Sequence, residues 1–185
     1  MDGVKNTFDE KHYVSVYSDG ENPVNVRVTV RELRRDERHL LKYFLYEAIF
    51  LPDVMSPLPY NVTELPELRV YIDDFGEHDS DRCLVACVDN SVAGAVWARI
   101  INDYGHIDDH TPSLAVSLYK EYRGKGIGTC LLRSMLRLLH EDGFGQVSLS
   151  VQKANPAVRL YKRLGFVVVK DNADEYVMLR RWNVY

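Results

Sequence analysis

Apolar and polar residues alternate along Asn25–Val30 (NVRVTV), a period of two that predicts a strand with one buried face. The period then changes. In RRDERHLLKYFLYEAIF the apolar residues Leu41, Phe44, Leu45, Ala48 and Ile49 fall three and four apart, the stripe of an amphipathic helix. Four prolines between Pro52 and Pro66 end that helix and predict an irregular segment, after which Glu67–Phe75 resumes as a short helix. Cys83–Val88 and Val92–Ile101 are apolar runs joined at Asp89-Asn90, residues that tolerate the left-handed conformation of a tight hairpin turn.

The second half is patterned more sharply. Ser113–Leu118 predicts a strand, and Ile127–Asp142 a long helix with Ile127, Leu131, Met135 and Leu139 on one face and Arg133 and Arg137 opposite. Gly143 stops that helix, and the β-branched run Gln146–Val151 is a further strand. Pro156 opens another helix from its first turn, and Gly165 suits its left-handed end. Val167–Lys170 and Glu175–Leu179 predict a closing antiparallel pair across an Asp/Asn-rich turn. Residues 1–22 are polar and weakly patterned and are expected to be a flexible arm, although Tyr13–Tyr17 alternates well enough to form a strand if it finds an edge. Residues 23–185 are then expected to be a single α/β domain, the size a chain of 185 residues allows.

Composition changes this picture little. A chain with 46% hydrophobic and 27% charged residues can bury an ordinary core. No apolar run approaches the ~18 residues of a membrane span, and the N-terminus lacks a basic start followed by an apolar stretch. Cys83, Cys87 and Cys130 are odd in number and at no metal-ligand spacing, and Cys83 and Cys87 stand too far apart along one strand to bridge. A reducing, cytoplasmic setting is expected.

Charge is more informative, because it is uneven. From Tyr119 to Arg163 nine basic residues face three acidic ones, a balance of +6; the net charge of −4 leaves −10 for the rest. Two solvated faces explain this blandly. The sharper explanation is a polyphosphate ligand on one side and a cationic substrate on the other, with no nucleic-acid or membrane partner.

The motifs decide between them. Arg123-Gly124-Lys125-Gly126-Ile127-Gly128 links the strand 113–118 to the helix 127–142. A glycine-rich link from strand to helix lets the backbone approach a phosphate closely, points several N–H groups at one spot and adds the partial positive charge of the helix N-terminus. It is not a P-loop, since no Gly-Lys-Ser/Thr follows, nor a dinucleotide fingerprint, since position 129 is threonine where a third glycine belongs. The segment resembles the signature of the GNAT superfamily of N-acyltransferases, Gln/Arg-x-x-Gly-x-Gly/Ala, with Arg123, Gly126 and Gly128 in the fixed positions. At the family's usual spacing, Asn155-Pro156-Ala157-Val158-Arg159-Leu160-Tyr161-Lys162-Arg163-Leu164-Gly165-Phe166 resembles its Asn-x-x-Ala/Val-x-x-x-Tyr-x-x-x-Gly-Phe element. The order of strands and helices from Asn25 to Leu179 is similar too.

The resemblance implies a mixed, mostly antiparallel central sheet flanked by helices, with a splayed pair of parallel strands holding coenzyme A. It implies an N-acetyltransferase that moves acetyl from acetyl-CoA to a primary amine by direct attack in a ternary complex. The acceptor is a small molecule or a protein amine, cationic if the −10 balance is read that way. A domain that binds acyl-CoA as a sensor or scaffold, without turnover, is the alternative. The backbone of Val116, Ser117 and Leu118 would hold the pantetheine arm, and the amides from Arg123 through Gly124, Lys125, Gly126, Ile127 and Gly128 to Thr129 would receive the pyrophosphate, with the Arg123 and Lys125 side chains as extra contacts. Asn155 would bond the amide-rich arm, a role compatible with capping the helix at Pro156.

Tyr161 would give its phenolic proton to the departing thiolate, although an aromatic residue here would also suit a core. An ammonium cannot attack a carbonyl, so a base is needed; Glu47, Asp108, Asp109 and His110 are the candidates. The histidines of His106-Ile107-Asp108-Asp109-His110 show no helical pattern that would make them converge, so loop or substrate contacts rank above a metal. Cys130 is read as a buried thiol rather than a nucleophile, and Trp97 and Tyr104 as either core or acceptor-pocket residues. A strand-edge or helix-face homodimer is left open.

Overall fold

The computed structural model describes residues 9–16, 24–51 and 58–182. Among these residues eight strands form one sheet in the order β1-β2-β3-β4-β5-β6-β8-β7. They are β1 (Asp9–Val16), β2 (Val24–Glu32), β3 (Arg82–Val88), β4 (Ser91–Arg99), β5 (Ser113–Leu118), β6 (Gln146–Gln152), β7 (Val167–Asp171) and β8 (Glu175–Arg181). Neighbours are antiparallel except β5 and β6. Four α-helices accompany them: α1 (Leu40–Ala48), α2 (Pro66–Arg69), α3 (Ile127–Glu141) and α4 (Ala157–Arg163).

Both faces of the central strands are covered, which is why they read as nearly unbroken apolar runs. Along β3, Leu84, Ala86 and Val88 join a core with Leu131, Met135 and Leu139 of α3, while Cys83, Val85 and Cys87 join a second core with Leu41, Phe44 and Leu45 of α1. The β3–β4 hairpin turns at Asp89 (φ 49°) and Asn90 (φ 64°), the left-handed pair that a right-twisted hairpin needs. None of the three cysteines forms a disulfide. Trp97 is 1% exposed and belongs to the core on the α1 side.

Three expectations change. Residues 9–16, placed in a flexible arm, form β1, because β2 offers an unpaired edge; the strand is longer than the alternation at 13–17 suggested. The long first helix is confined to Leu40–Ala48 behind a 3-10 turn at Arg35–Glu37. There the Glu37 carboxylate accepts from the Arg31 guanidinium at 2.7 Å and from the Arg34 amide at 3.0 Å, bending the chain before the apolar stripe begins. The helix expected over 67–75 is the single turn Pro66–Arg69 followed by turns that reach left-handed Asp74 (φ 50°). Of the proline-rich segment, residues 52–57 lie outside the described residues.

The feature that makes a site is the parting of β5 and β6. Ser113 pairs with Ser148, and no further pair follows. β5 is bonded to β4 along its whole length, so beyond Ser113 its other edge faces a gap. The wall beyond the tip of this gap is anchored by a buried ion pair, Arg99–Asp81 at 2.9 Å, with side chains 3% and 1% exposed. The same guanidinium donates to the carbonyls of Val70 (3.0 Å) and Asp73 (2.6 Å), fixing the turns after α2 against β4. Removing one partner of such a pair typically costs about 3–5 kcal/mol.

Candidate active site

The gap opens into a cleft of about 1120 Å³ between α1, the turns after α2, β5, β6 and α4. Val116, Ser117 and Leu118 line it, as expected of a strand whose free edge can bond an extended ligand. Ser117 is held from behind, its hydroxyl donating to the Phe44 carbonyl at 2.7 Å, which ties β5 to α1.

The glycine loop contributes unequally. Gly124, Gly128 and the Arg123 side chain line the cleft; Lys125, Gly126, Ile127 and Thr129 do not. Gly126 is left-handed (φ 79°) and starts α3, Ile127 is buried in the core, and the Thr129 amide donates to the Gly126 carbonyl at 3.0 Å. The Arg123 amide is likewise used, on the Lys120 carbonyl at 3.2 Å. Gly128 faces the cleft with little around it, the nearest neighbour of an added Cβ being Leu118 Cδ1 at 3.5 Å. Lys120, not singled out in the sequence, lines the cleft where Lys125 was expected.

Arg123 is engaged within the protein. Its Nε donates to the Leu118 carbonyl at 2.9 Å and its Nη2 to the Glu47 carboxylate at 2.6 Å, joining the glycine loop to the end of α1. Glu47 therefore stands on the cleft wall as a paired carboxylate. Asn155 also lines the cleft while its Oδ1 accepts from the Ala157 amide at 2.9 Å, capping α4. That leaves the amide NH₂ as the end of the side chain able to donate to a ligand.

Tyr161 lies on the cleft wall beside Asn155 and packs edge-on against Phe166, ring centroids 5.9 Å apart. Burial pushes its phenol up to about 12, so it is protonated at any physiological pH. Cys130 does not line the cleft; it packs against the α3 core.

The other three candidate bases stand apart from the cleft. Asp108 is spent on its own loop, accepting from the Thr111 hydroxyl (2.7 Å) and the His110 amide (2.9 Å), with Gln146 at 3.3 Å. Those bonds, that from Thr111 foremost, hold its carboxyl below the ordinary aspartate value, which makes it a poor base. Asp109 and His110 are exposed. In their place the structure brings Tyr71, Tyr104, Ser150 and Glu175 to the cleft. Asp103 lies behind Tyr71, which is pushed far above the ordinary phenol by burial and then by the Asp103 charge. Tyr104 was expected in either the core or the acceptor pocket, and nothing in the local pattern marks the others. Tyr71, Asp103 and Glu175 come from a turn, a loop and a strand end that only the fold assembles.

Comparison with known proteins agrees with this geometry. A family model described as "Acetyltransferase (GNAT) family" matches residues 46–166. An N-alpha-acetyltransferase of Saccharolobus solfataricus is 34% identical over 149 residues, 70% of this chain and 88% of that protein. One of Sulfurisphaera tokodaii is 32% identical over 148 residues, 69% of this chain and 87% of its own. Among solved structures, the PaiA N-acetyltransferase of Thermoplasma acidophilum, in complex with coenzyme A, superposes with a TM-score of 0.63 at 19% identity, covering 84% of this chain and 99% of that one.

Proposed function

Because this chain belongs to the acetyltransferase (GNAT) family, acetyl-CoA is its donor and an amine its acceptor, and we propose that the acceptor is the α-amino group of a polypeptide N-terminus. Support for the acceptor comes from two relatives, each named N-alpha-acetyltransferase and alike over more than two thirds of both chains. The observation that carries the donor site is the parting of β5 from β6 beside the glycine loop. The free edge of Val116–Leu118 suits the amide-rich pantetheine arm, a strand-like ligand against a strand edge. The amides of Gly124 and Gly128, with Lys120 and Arg123 nearby, suit the pyrophosphate.

The chemistry follows from bond accounting. The bound ammonium first loses a proton, and the nitrogen lone pair then attacks the thioester carbonyl carbon. As the C–N bond forms and the C–S bond breaks, the sulfur leaves as a thiolate and takes up a proton. Tyr161 stands ready to donate to it. A phenol near 12 is a weak acid beside a thiol of ~8.5, but the burial that raises the phenol raises a neighbouring thiol as well. Its hydrogen bond therefore strengthens as charge develops on sulfur, and the nitrogen's second proton restores the phenol. A ternary complex without an acetyl-enzyme fits a cleft that Cys130 does not line. Cysteines outside any disulfide fit a reducing compartment, and among the described residues no helix is long and apolar enough to cross a membrane.

A matched pair of peptides tests the acceptor. One has a free N-terminus and no lysine; the other is blocked at the N-terminus and carries one internal lysine. At neutral pH the α-amine, with a pKa of ~7.7–8.0, is far more often neutral than a lysine at ~10.4. Acetylation of the first peptide and not the second is expected on mass analysis. The reverse preference would overturn the α-amine assignment.

A further inference from the structure

The cleft has two chemically different parts. Lys120 and Arg123 line it at the glycine loop, and Glu175 lines it where its carboxylate reaches Ser150 of β6, two residues beyond the β5–β6 junction at Ser148. The β4–β5 loop lies directly on that junction, so closely that a Cβ at Gly105 would stand 2.5 Å from the Ser113 hydroxyl oxygen. The same hydroxyl donates to Asp103 at 2.5 Å, and Lys170 secures the loop through the His106 carbonyl at 3.2 Å. Asp103 and Tyr104 are thereby brought beside Tyr71 and Glu175, which share their electrostatic surroundings.

Glu175 is half-buried and oriented. Oε2 accepts from the Ser150 hydroxyl at 2.8 Å and Oε1 from the Asn172 amide at 3.4 Å. Among the described residues no lysine or arginine forms an ion pair with it. This distinguishes it from Glu47, whose charge Arg123 already answers. Asp103 lies behind it, its carboxyl pushed above the ordinary aspartate value by burial, with one buried oxygen, Oδ1, lacking a hydrogen-bond partner. A fixed carboxylate without a counter-charge, on the wall of a reaction cleft and walled by Tyr71 and Tyr104, is complementary to a cation.

We propose that Glu175 binds the acceptor's ammonium and takes its proton. This rests on the acetyltransferase reading above and assigns within it the step that reading left without a residue. One N–H proton passes from the ammonium to the Glu175 carboxylate and on to water, leaving the neutral amine to attack. Tyr71 and Tyr104 flank the N-terminal residue.

Glu175→Gln tests it, since the amide keeps the volume and can still accept from Ser150. Two acceptors are compared: a peptide with a free α-amine, and a hydrazide of similar size, which is neutral at the assay pH and needs no base. With the peptide, kcat/KM should fall ~100-fold or more, in the range of a lost acid–base group. With the hydrazide it should change little, and the dissociation constant for acetyl-CoA should hold. Equal losses on both acceptors, or no loss on either, would overturn the proposal. If the glutamine variant fails to fold, Glu175→Asp decides by the same comparison, with a smaller loss confined to the peptide. Failure of the acetyltransferase reading looks different: the unaltered protein would then acetylate neither acceptor.

Discussion

Gly128→Val is expected to fold as the parent does and to lose ~10–100-fold in affinity for acetyl-CoA. That loss, about 1.4–2.7 kcal/mol, corresponds to one charge-assisted hydrogen bond to phosphate at about 1.5–3 kcal/mol. The position allows the test because Gly128 lies inside α3 and a Cβ there meets nothing nearer than Leu118 Cδ1 at 3.5 Å. The added branches fill the cleft instead of colliding with the protein. Gly126 is the poorer choice despite its place in the motif, because its φ of 79° would strain any valine and confuse unfolding with lost binding. Isothermal titration with acetyl-CoA reads the affinity, and the melting temperature without ligand shows that the fold survives. Acetyl-CoA should raise the parent's melting temperature and raise the variant's much less. A variant that binds acetyl-CoA normally would show that the pyrophosphate lies elsewhere.

Tyr161→Phe removes one hydroxyl and leaves the edge-on packing with Phe166 in place. The turnover number should fall by ~10-fold or more, within or below the ~10²–10⁴ range for a lost proton donor, because a thiolate is already a fair leaving group. Affinity for acetyl-CoA should hold, since the hydrogen bond matters only as the sulfur departs. A sign follows for pH. The phenol is active when protonated, and burial pushes its pKa up to about 12, so its activity persists below that value and is lost only as pH rises through it. The rate of the unaltered protein should therefore show no fall attributable to this tyrosine through its ordinary value of ~10. A turnover unchanged in Tyr161→Phe, with chemistry rate-limiting, would reduce Tyr161 to a packing residue.

What could be read from the sequence is what local pattern determines. The Asp89-Asn90 turn, the strand Ser113–Leu118 and the helix begun at Ile127 stand where periodicity and glycine placement predicted them. On the side proposed for the donor, Val116–Leu118, Arg123, Gly124 and Gly128 line the cleft and follow one another through a strand and a loop into a helix, whereas Lys125, Gly126, Ile127 and Thr129 do not line it. The side proposed for the acceptor was not legible, because it is assembled from afar. Arg123 and Glu47, 76 residues apart in sequence, meet across the cleft mouth, and neither pattern hinted that each would occupy the other. Asp108 carries the chemistry of a base, but its neighbours Thr111 and His110 consume its lone pairs. Glu175 reads as the first residue of an ordinary closing strand, and its place on the cleft follows from β8 pairing with β6 across Ser150–Val177 and Gln152–Glu175.

Direct transfer is tested by a single turnover with acetyl-CoA labelled in its acetyl group, followed with and without a peptide bearing a free α-amine. Free thiol is expected only when the peptide is present, with the label recovered on the peptide nitrogen in equal amount and none on the protein. Thiol released without peptide, with label retained on Cys130 or any other side chain, would contradict direct transfer in the cleft between β5 and β6.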